Sequence, residues 1–309
     1  MAGAYAHLAV VNIASETGRL EEAKVPQSGI LAVKKYLRFC ELGSVSPDYP
    51  YLAIADSGAA KWADNMHYEK TGDVVQSLVK GVMGLQGAEK QKVLAWLLGY
   101  VAHVVTDMTI HPIVEKIVGP YAQNKRVHRV CEMNQDAYIF PRLNLGEVGL
   151  SEHLNSGIRG CSQDGHLDAT IKGLWESALQ QTYAQEFSKN KPDIDKWNAQ
   201  FLFVVDNIAE EGNKLMPLAR HVAVGLGLTY PAVAKLDQQF LVNIATPEGA
   251  KNYDDVFDLA VTHVVEAWRL VAESVEKSDV DALSFFGHWN LDTGRDVNTG
   301  KLVYWKVVA

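Results

Sequence analysis

The sequence predicts an all-α fold, a multi-helix domain that ends in a short β-hairpin. Three observations carry this. Apolar residues recur at helical spacing through most of the 309 residues, most clearly over 88–110 and 252–277. A hydrophobic fraction of 48% is enough to bury a large core. The last two dozen residues change character, with Leu302, Val303, Tyr304 and Trp305 following the turn-forming Asn298-Thr299-Gly300, which reads as a two-stranded hairpin. No linker rich in Gly, Ser or Pro divides the chain, and no internal repeat is visible. Residues 1–285 are therefore expected to form one helical domain, with the 286–309 hairpin packed on it.

In order, residues 4–15 read as a first helix carrying His7 in an apolar setting, and Gly18 to Ser28 as polar turns. Ile30 to Leu42 reads as a second helix. Pro47 and Pro50 bracket Asp48 and Tyr49, which predicts a stiff loop, and the polar segment after it leaves His67 in irregular chain. Helices follow over Asp73–Leu85 and Ala88–Ile110. Pro112 should end the second of these and leave His111 at its exit. Gly119-Pro120 is a further stop, and Val127–Tyr138 reads as the next helix. Five glycines between Pro141 and Asp168 mark a long loop holding His153, Cys161 and His166, whose spacing fits no closed Cys₂His₂ zinc pattern. Helices are expected near 168–188, 193–218, 231–243 and 252–277, where His221 and His263 read as structural.

Composition narrows the function. A net charge of −8 argues against a nucleic-acid partner and against an anionic membrane binder, although bound divalent cations would offset much of it. Three cysteines with no CxxC favour a reducing compartment. The N-terminus has no basic region ahead of its apolar run, so a cytoplasmic location is expected unless the chain is an already processed secreted form. No run of eighteen apolar residues occurs, so no membrane span is expected.

The stretch Leu94–Glu132 carries the chemistry. Helical positions four apart are displaced by only about 40°, so His103 shares a face with Asp107, as His128 does with Glu132. A lone histidine in an apolar helix is usually structural. Two His/carboxylate pairs with His111 between them are the donor types and spacings of a metal site. Asp136, four residues after Glu132, is expected to support a ligand or face solvent.

Together His7, Asp48, His67, His103, Asp107, His111, His128 and Glu132 form an ordered set. With the surrounding GAYAH, PDYPY, GYVAHVVTD and HxxxE, over roughly residues 3–138, it resembles the zinc-dependent phospholipase C family of bacteria, whose fold is similar to that of the zinc-dependent single-strand nucleases. The resemblance implies an all-helical catalytic domain with two to three zinc ions. His67, His103, Asp48 and a bridging Asp107 would hold one, His111, His128 and Glu132 a second, and His7 with Asp107 a third. In secreted members the third is completed by the mature N-terminal residue. This chain departs there, with only six residues before His7.

The same resemblance makes Asp48 a candidate general base and Tyr49 a wall of the headgroup pocket. Asp64 stands where an aromatic residue is expected, which weakens a choline assignment. The implied activity is phospholipase C-type hydrolysis of a phospholipid or another phosphodiester by metal-activated water, with transient contact at a membrane surface. Two alternatives stand beside it. The donor set also suits iron or manganese, and so another reaction, including an oxidative biosynthetic one. A metal-stabilised binding protein would instead have a closed site with no pocket above it, and the hairpin as partner surface.

Overall fold

The computed structural model of the protein describes residues 3–53, 56, 58–143, 157–204 and 230–306. Among these residues lie thirteen α-helices and three two-stranded hairpins, in keeping with the all-α expectation. The bundle is built around α8 (Gly87–Val118), which is buried on every side from Val93 to Val114. A helix that is apolar all round belongs in the middle of a bundle. By length and composition it would cross a membrane, yet its apolar window lies wholly inside the protein. Packed around it are α1 (Ala4–Ala14), α3 (Gln27–Lys35), α4 (Leu37–Val45), α7 (Thr71–Met83), α9 (Tyr121–Ile139) and α13 (Tyr253–Lys277).

The closest approach is between α4 and α8. A Cβ at Gly99 would stand 1.9 Å from the Cys40 carbonyl oxygen, and one at Gly43 would stand 2.0 Å from that of Trp96. Glycine on both helices lets the two backbones meet.

Pro112 does not end α8, as the sequence suggested it would. The helix runs on to Val118. Proline deprives the Met108 carbonyl of its N–H donor and crowds the preceding turn, and the C-terminal segment covers the place. A Cβ on Gly294 would lie 2.2 Å from the Pro112 ring and 2.6 Å from the Met108 oxygen. The Trp305 indole N–H donates to the Thr109 carbonyl at 2.8 Å.

Other elements differ from expectation for local reasons. The proline-bracketed segment is helical. Ser46–Asp48 make a 3₁₀ turn and α5 (Tyr49–Leu52) follows, because both prolines fall in first turns, where a missing N–H costs nothing. His67 lies in α6 (Ala59–Tyr68), and the expected turns after Gly18 include α2 (Thr17–Glu22). The helix expected over 30–42 breaks at Tyr36 (φ −127°, ψ 36°) into α3 and α4. That over 168–188 breaks at Tyr183 into α10 (Ala169–Thr182) and α11 (Ala184–Lys189).

The helix over 193–218 is seen as α12 (Ile194–Val204). Its remainder, His153, His221 and residues 144–156 of the long loop lie outside the described residues. The described end of that loop forms the hairpin β1 (Ser162–Gln163) with β2 (His166–Leu167).

No helix forms over 231–243. The Asp237 side chain accepts the Gln239 N–H and holds a 3₁₀ turn, which leads into β3 (Ile244–Thr246) paired with β4 (Gly249–Lys251). The C-terminal hairpin closes one turn earlier than expected, between β5 (Trp289–Asn290) and β6 (Arg295–Asp296), and Leu302 adds a single bridge to Arg295. Gly294, at φ +63°, makes the tighter turn available.

Candidate metal centre

α8 supplies the axis of the site. His103, Asp107 and His111 fall on one stripe of the helix, four residues apart, and all three are 0% exposed. Asp107 is central. Its Oδ1 lies 3.3 Å from His7 Nε2 and 3.4 Å from His111 Nε2, while its Oδ2 lies 3.3 Å from His103 Nε2 and 3.8 Å from His67 Nε2. α1 brings His7, whose ring stacks on His103 at 4.1 Å. The 46–48 turn brings Asp48, α6 brings His67, and α9 brings His128 and Glu132.

The structure thus gathers all eight expected donors. They fall into three triads whose ligand atoms lie within 4.8 Å of one another: His7, His103 and Asp107; Asp48, His67 and His103; His111, His128 and Glu132. In this geometry Asp107 groups with His7 and His103, and His103 belongs to two triads.

The protonation pattern tests whether a metal fits. His67 Nδ1 lies 2.7 Å from the Ala63 carbonyl, His103 Nδ1 2.9 Å from that of Ser44, and His111 Nδ1 2.8 Å from that of Leu291. A carbonyl only accepts, so each Nδ1 carries a proton and each Nε2 is left with a bare lone pair. Yet His67 and His103 aim Nε2 at Nε2 across 3.3 Å, with Asp48 Oδ1 only 3.2 Å from the first. Lone pairs and a carboxylate oxygen facing one another in a buried site repel, and a cation shared among them removes the conflict. His7 Nδ1 and His128 Nδ1 are buried without a hydrogen-bond partner among the described residues, while their Nε2 atoms face the Asp107 and Glu132 carboxylates at 3.3 and 2.9 Å, where a bound ion fits. Neutral imidazole and carboxylate are zinc donors, so the residues fit the metal.

Electrostatics point the same way. Burial opposes ionisation of Asp107, but the imidazoles of His111, His103 and His7 hold its carboxyl well below the usual range. Asp48 is likewise lowered against burial by His103 and His67, and Glu132 by His128 and His111. Burial lowers His111, and Asp107 and then Glu132 together raise it above its ordinary value. The cluster therefore holds its carboxylates ionised, the form that binds a cation.

Only Asp48 and Glu132, at 8% and 9% exposed, reach toward solvent, and they do so from different triads. The open side of the centre therefore runs between them. Tyr121, whose ring packs on His128 at 5.0 Å, lies on that side. Burial first, and then the charges of Asp292, Glu132 and Asp48, raise its hydroxyl's pKa.

Residues 6–192 match the family described as zinc dependent phospholipase C. The chain belongs to the zinc-dependent phospholipase C family. No curated protein and no solved structure matches it. The phospholipase C match extends beyond the 3–138 region of sequence resemblance to take in α10 and α11, and it supports hydrolysis as the use of this zinc-type centre.

Around the phospholipase C donors lie residues that sequence reasoning placed elsewhere or missed. Asp136 is fully buried and accepts the backbone N–H groups of Tyr5 (3.3 Å) and Ala6 (2.8 Å), fixing the start of α1 two residues before His7. Burial pushes its carboxyl up to about 7. A Cβ at Gly3 would lie 2.0 Å from Asp136 Oδ2, so the contact depends on glycine there. Tyr49, expected at the headgroup pocket, is 0% exposed and stacks on Phe201 at 4.3 Å, beneath the centre. Cys161 is buried with its thiol on the Arg38 carbonyl, while His166 is exposed and pairs with Asp195, so these two do not converge on a metal. The Leu291 carbonyl and Asp292 left no signal beyond a DTG turn.

Proposed function

We propose that this protein is a zinc-dependent phosphodiester hydrolase acting by phospholipase C-type cleavage of a phospholipid headgroup. The observation that carries the reading is the set of three donor triads around one buried aspartate, with bare Nε2 lone pairs facing inward. Zinc held there supplies Lewis acidity at phosphoryl oxygens and brings the pKa of water from 15.7 down to about 7. No serine or cysteine nucleophile is then needed, which agrees with Cys40 and Cys131 being buried, with thiols raised by that burial.

The chain's own groups set the rest. Asp48 turns Oδ1 inward to His67 and His103, where it is sealed from solvent, and the remaining 11% exposure of its side chain faces the opening. It can accept a proton from water on that side, the general-base role the family resemblance suggests. Glu132 marks the other end of the opening, so a phosphoryl group fits between two donor sets. Aromatic rings cover the imidazoles: Tyr51 packs on His67 at 5.5 Å and Tyr121 on His128 at 5.0 Å. A cavity lies against Tyr51 and Tyr121, the rings that pack on His67 and His128, which a closed binding module does not require.

Metal analysis together with turnover of bis(p-nitrophenyl) phosphate and a short-chain phospholipid tests the proposal. At least two zinc ions per chain, and a loss of turnover of about 10²-fold or more in His103→Ala, are expected. Fewer than two ions with unchanged turnover in His103→Ala would sink the reading. Colour or paramagnetism of the bound metal would move it to iron or manganese chemistry.

A further inference from the structure

The chain from Gly287 to Trp305 lies outside the matched residues 6–192, and it supplies none of the eight donors. It nevertheless reaches the metal centre. It is first pinned at the start of α7, where the Gly72 N–H donates to the Gly287 carbonyl at 3.0 Å and the Trp289 N–H to Thr71 Oγ1 at 2.8 Å. Two residues later it bonds α6 and α8 at once. The Leu291 N–H donates to the His67 carbonyl at 2.9 Å, and the Leu291 carbonyl accepts from His111 Nδ1 at 2.8 Å. Asp292 repeats the span: its Oδ2 accepts the Tyr68 hydroxyl at 2.7 Å, and its Oδ1 lies 3.9 Å from His111 Nδ1.

His67 and His111 belong to different triads. One residue therefore holds the backbone of a ligand in the first and the ring of a ligand in the second. The Leu291 side chain is buried, so close packing fixes the residue between its two partners. It cannot follow one helix without leaving the other. α6, which carries His67, packs on α5, α7, the 46–48 turn and β5. The strap adds a direct hydrogen-bonded tie from this helix to α8, and Gly294 against Pro112 and Trp305 on the Thr109 carbonyl seat it there.

We propose that Leu291 is a positioning residue for two triads, and that the 287–305 strap keeps the metal sites built on His67 and on His111 in register. The inference rests on the zinc-binding part of the reading above and not on the reaction catalysed. Metal affinity depends on the groups that orient the ligands as well as on the ligands themselves. A lesion on either side of the strap should thus be felt at both sites. A segment that merely covered α8 would pass the disturbance to His111 alone.

Gly294→Ala disturbs the strap from the α8 side without altering a ligand. Its new carbon would stand 2.2 Å from the Pro112 ring, whereas carbon atoms rest at about 3.5 Å. Lifting the turn by that difference of about 1.3 Å opens the 2.8 Å contact between Leu291 and His111 to about 4.1 Å, beyond any hydrogen bond. Gly300→Ala is the matched control, with a similar φ (+68° against +63°) and nothing within 4 Å of its added carbon. Tyr68→Phe disturbs the strap from the α6 side by removing one hydroxyl. Chelator competition on the full zinc-loaded chain counts the ions and their affinities, and the visible absorption of the cobalt(II)-loaded chain reports the ligand geometry. Gly294→Ala should weaken two ions by about 10- to 100-fold, and Tyr68→Phe the same two by up to about tenfold, with cobalt bands altered in both and unchanged in Gly300→Ala. A folding defect alone would lower occupancy and leave the bands of the bound fraction as they were. Weakening of one ion only, or wild-type affinities and bands, overturns the proposal while the hydrolase reading stands. Should Gly294→Ala fail to fold, Tyr68→Phe decides by the same criteria. A wild-type chain that binds no zinc overturns both.

Discussion

Replacing Gly99 by alanine inserts one methyl group where α4 and α8 touch, and the consequence should be read at the metal. The new carbon would lie 1.9 Å from the Cys40 carbonyl oxygen, whereas carbon and oxygen rest at about 3.4 Å. The helices must part by about 1.5 Å, the difference between those two distances. One turn along the same stripe, the Ser44 carbonyl on α4 holds His103 Nδ1 at 2.9 Å. Parting the helices by that amount opens this contact to about 4.4 Å, beyond any hydrogen bond.

Two costs follow. Overpacking and backbone displacement take about 1–3 kcal/mol, and stranding the buried Ser44 carbonyl and His103 N–H adds about 1–3 kcal/mol. Together, about 2–6 kcal/mol of stability should be lost. Freed from its carbonyl, His103 also loses the fixed tautomer that serves two triads, which should weaken zinc binding by about 10- to 100-fold. Urea denaturation of the metal-free protein measures the first effect, and chelator competition measures the second. Gly173→Ala is the control. Nothing lies within 4 Å of its added carbon, so it should be neutral or stabilising by up to about 1 kcal/mol. If Gly99→Ala is destabilised but binds zinc with wild-type affinity, the Ser44 carbonyl does not govern His103. If it loses neither, the helix contact itself is misdescribed.

Three further outcomes are expected. Asp107→Asn removes the charge that four imidazoles face, and elemental analysis should find at least one zinc fewer per chain; full occupancy would require another bridging group. Asp136→Ala removes the acceptor of the Tyr5 N–H and leaves the Ala6 N–H with the Gly3 carbonyl alone, and should cost about 1–2 kcal/mol, with the loss of zinc confined to the His7 triad; unchanged thermal stability would count against its role in fixing α1. His263, packed on Tyr304 and bonded to Thr109, is pushed down to about 4 from 6.5 by burial. Its neutral form belongs to the fold, so its contribution is complete above about pH 6.5 and is lost as pH falls toward 4. Relative to wild type, His263→Phe should therefore lose about 2–3 kcal/mol less between pH 7 and pH 4 in urea titrations, and parallel pH curves would contradict this.

Helices were legible wherever a long apolar period ran unbroken, as in α8 and α13. They were misread where a single residue type carried the inference. Pro112 reads as a stop because proline removes a helical N–H, but here the turn at Gly294 packs over Pro112 and the Met108 carbonyl while Trp305 bonds the Thr109 carbonyl, from nearly two hundred residues away. Pro47 and Pro50 read as loop formers because proline at a helix start and proline in a turn look alike in sequence. The strand-like run Leu302–Trp305 places its indole on the Thr109 carbonyl, so its alternation records packing against α8 more than ladder pairing.

For the site, all eight donors were visible because imidazole and carboxylate at i,i+4 are chemically specific and cannot be swapped for other residues. What orients them was not visible. The groups that fix the tautomers of His67, His103 and His111 are the backbone carbonyls of Ala63, Ser44 and Leu291, and any residue can supply a carbonyl. The trace such a framework leaves is in its glycines. Gly99 brings the Ser44 carbonyl to His103, Gly294 seats the turn that carries Leu291 against α8, and Gly3 lets Asp136 reach the start of the helix bearing His7. In each case a missing side chain lies within a few residues of a candidate ligand or of the carbonyl that orients it, and the Cβ it lacks would strike the partner at 1.9–2.2 Å. A metal centre of this kind is therefore written twice in the chain, once in its donors and once in the glycines that let backbone reach them.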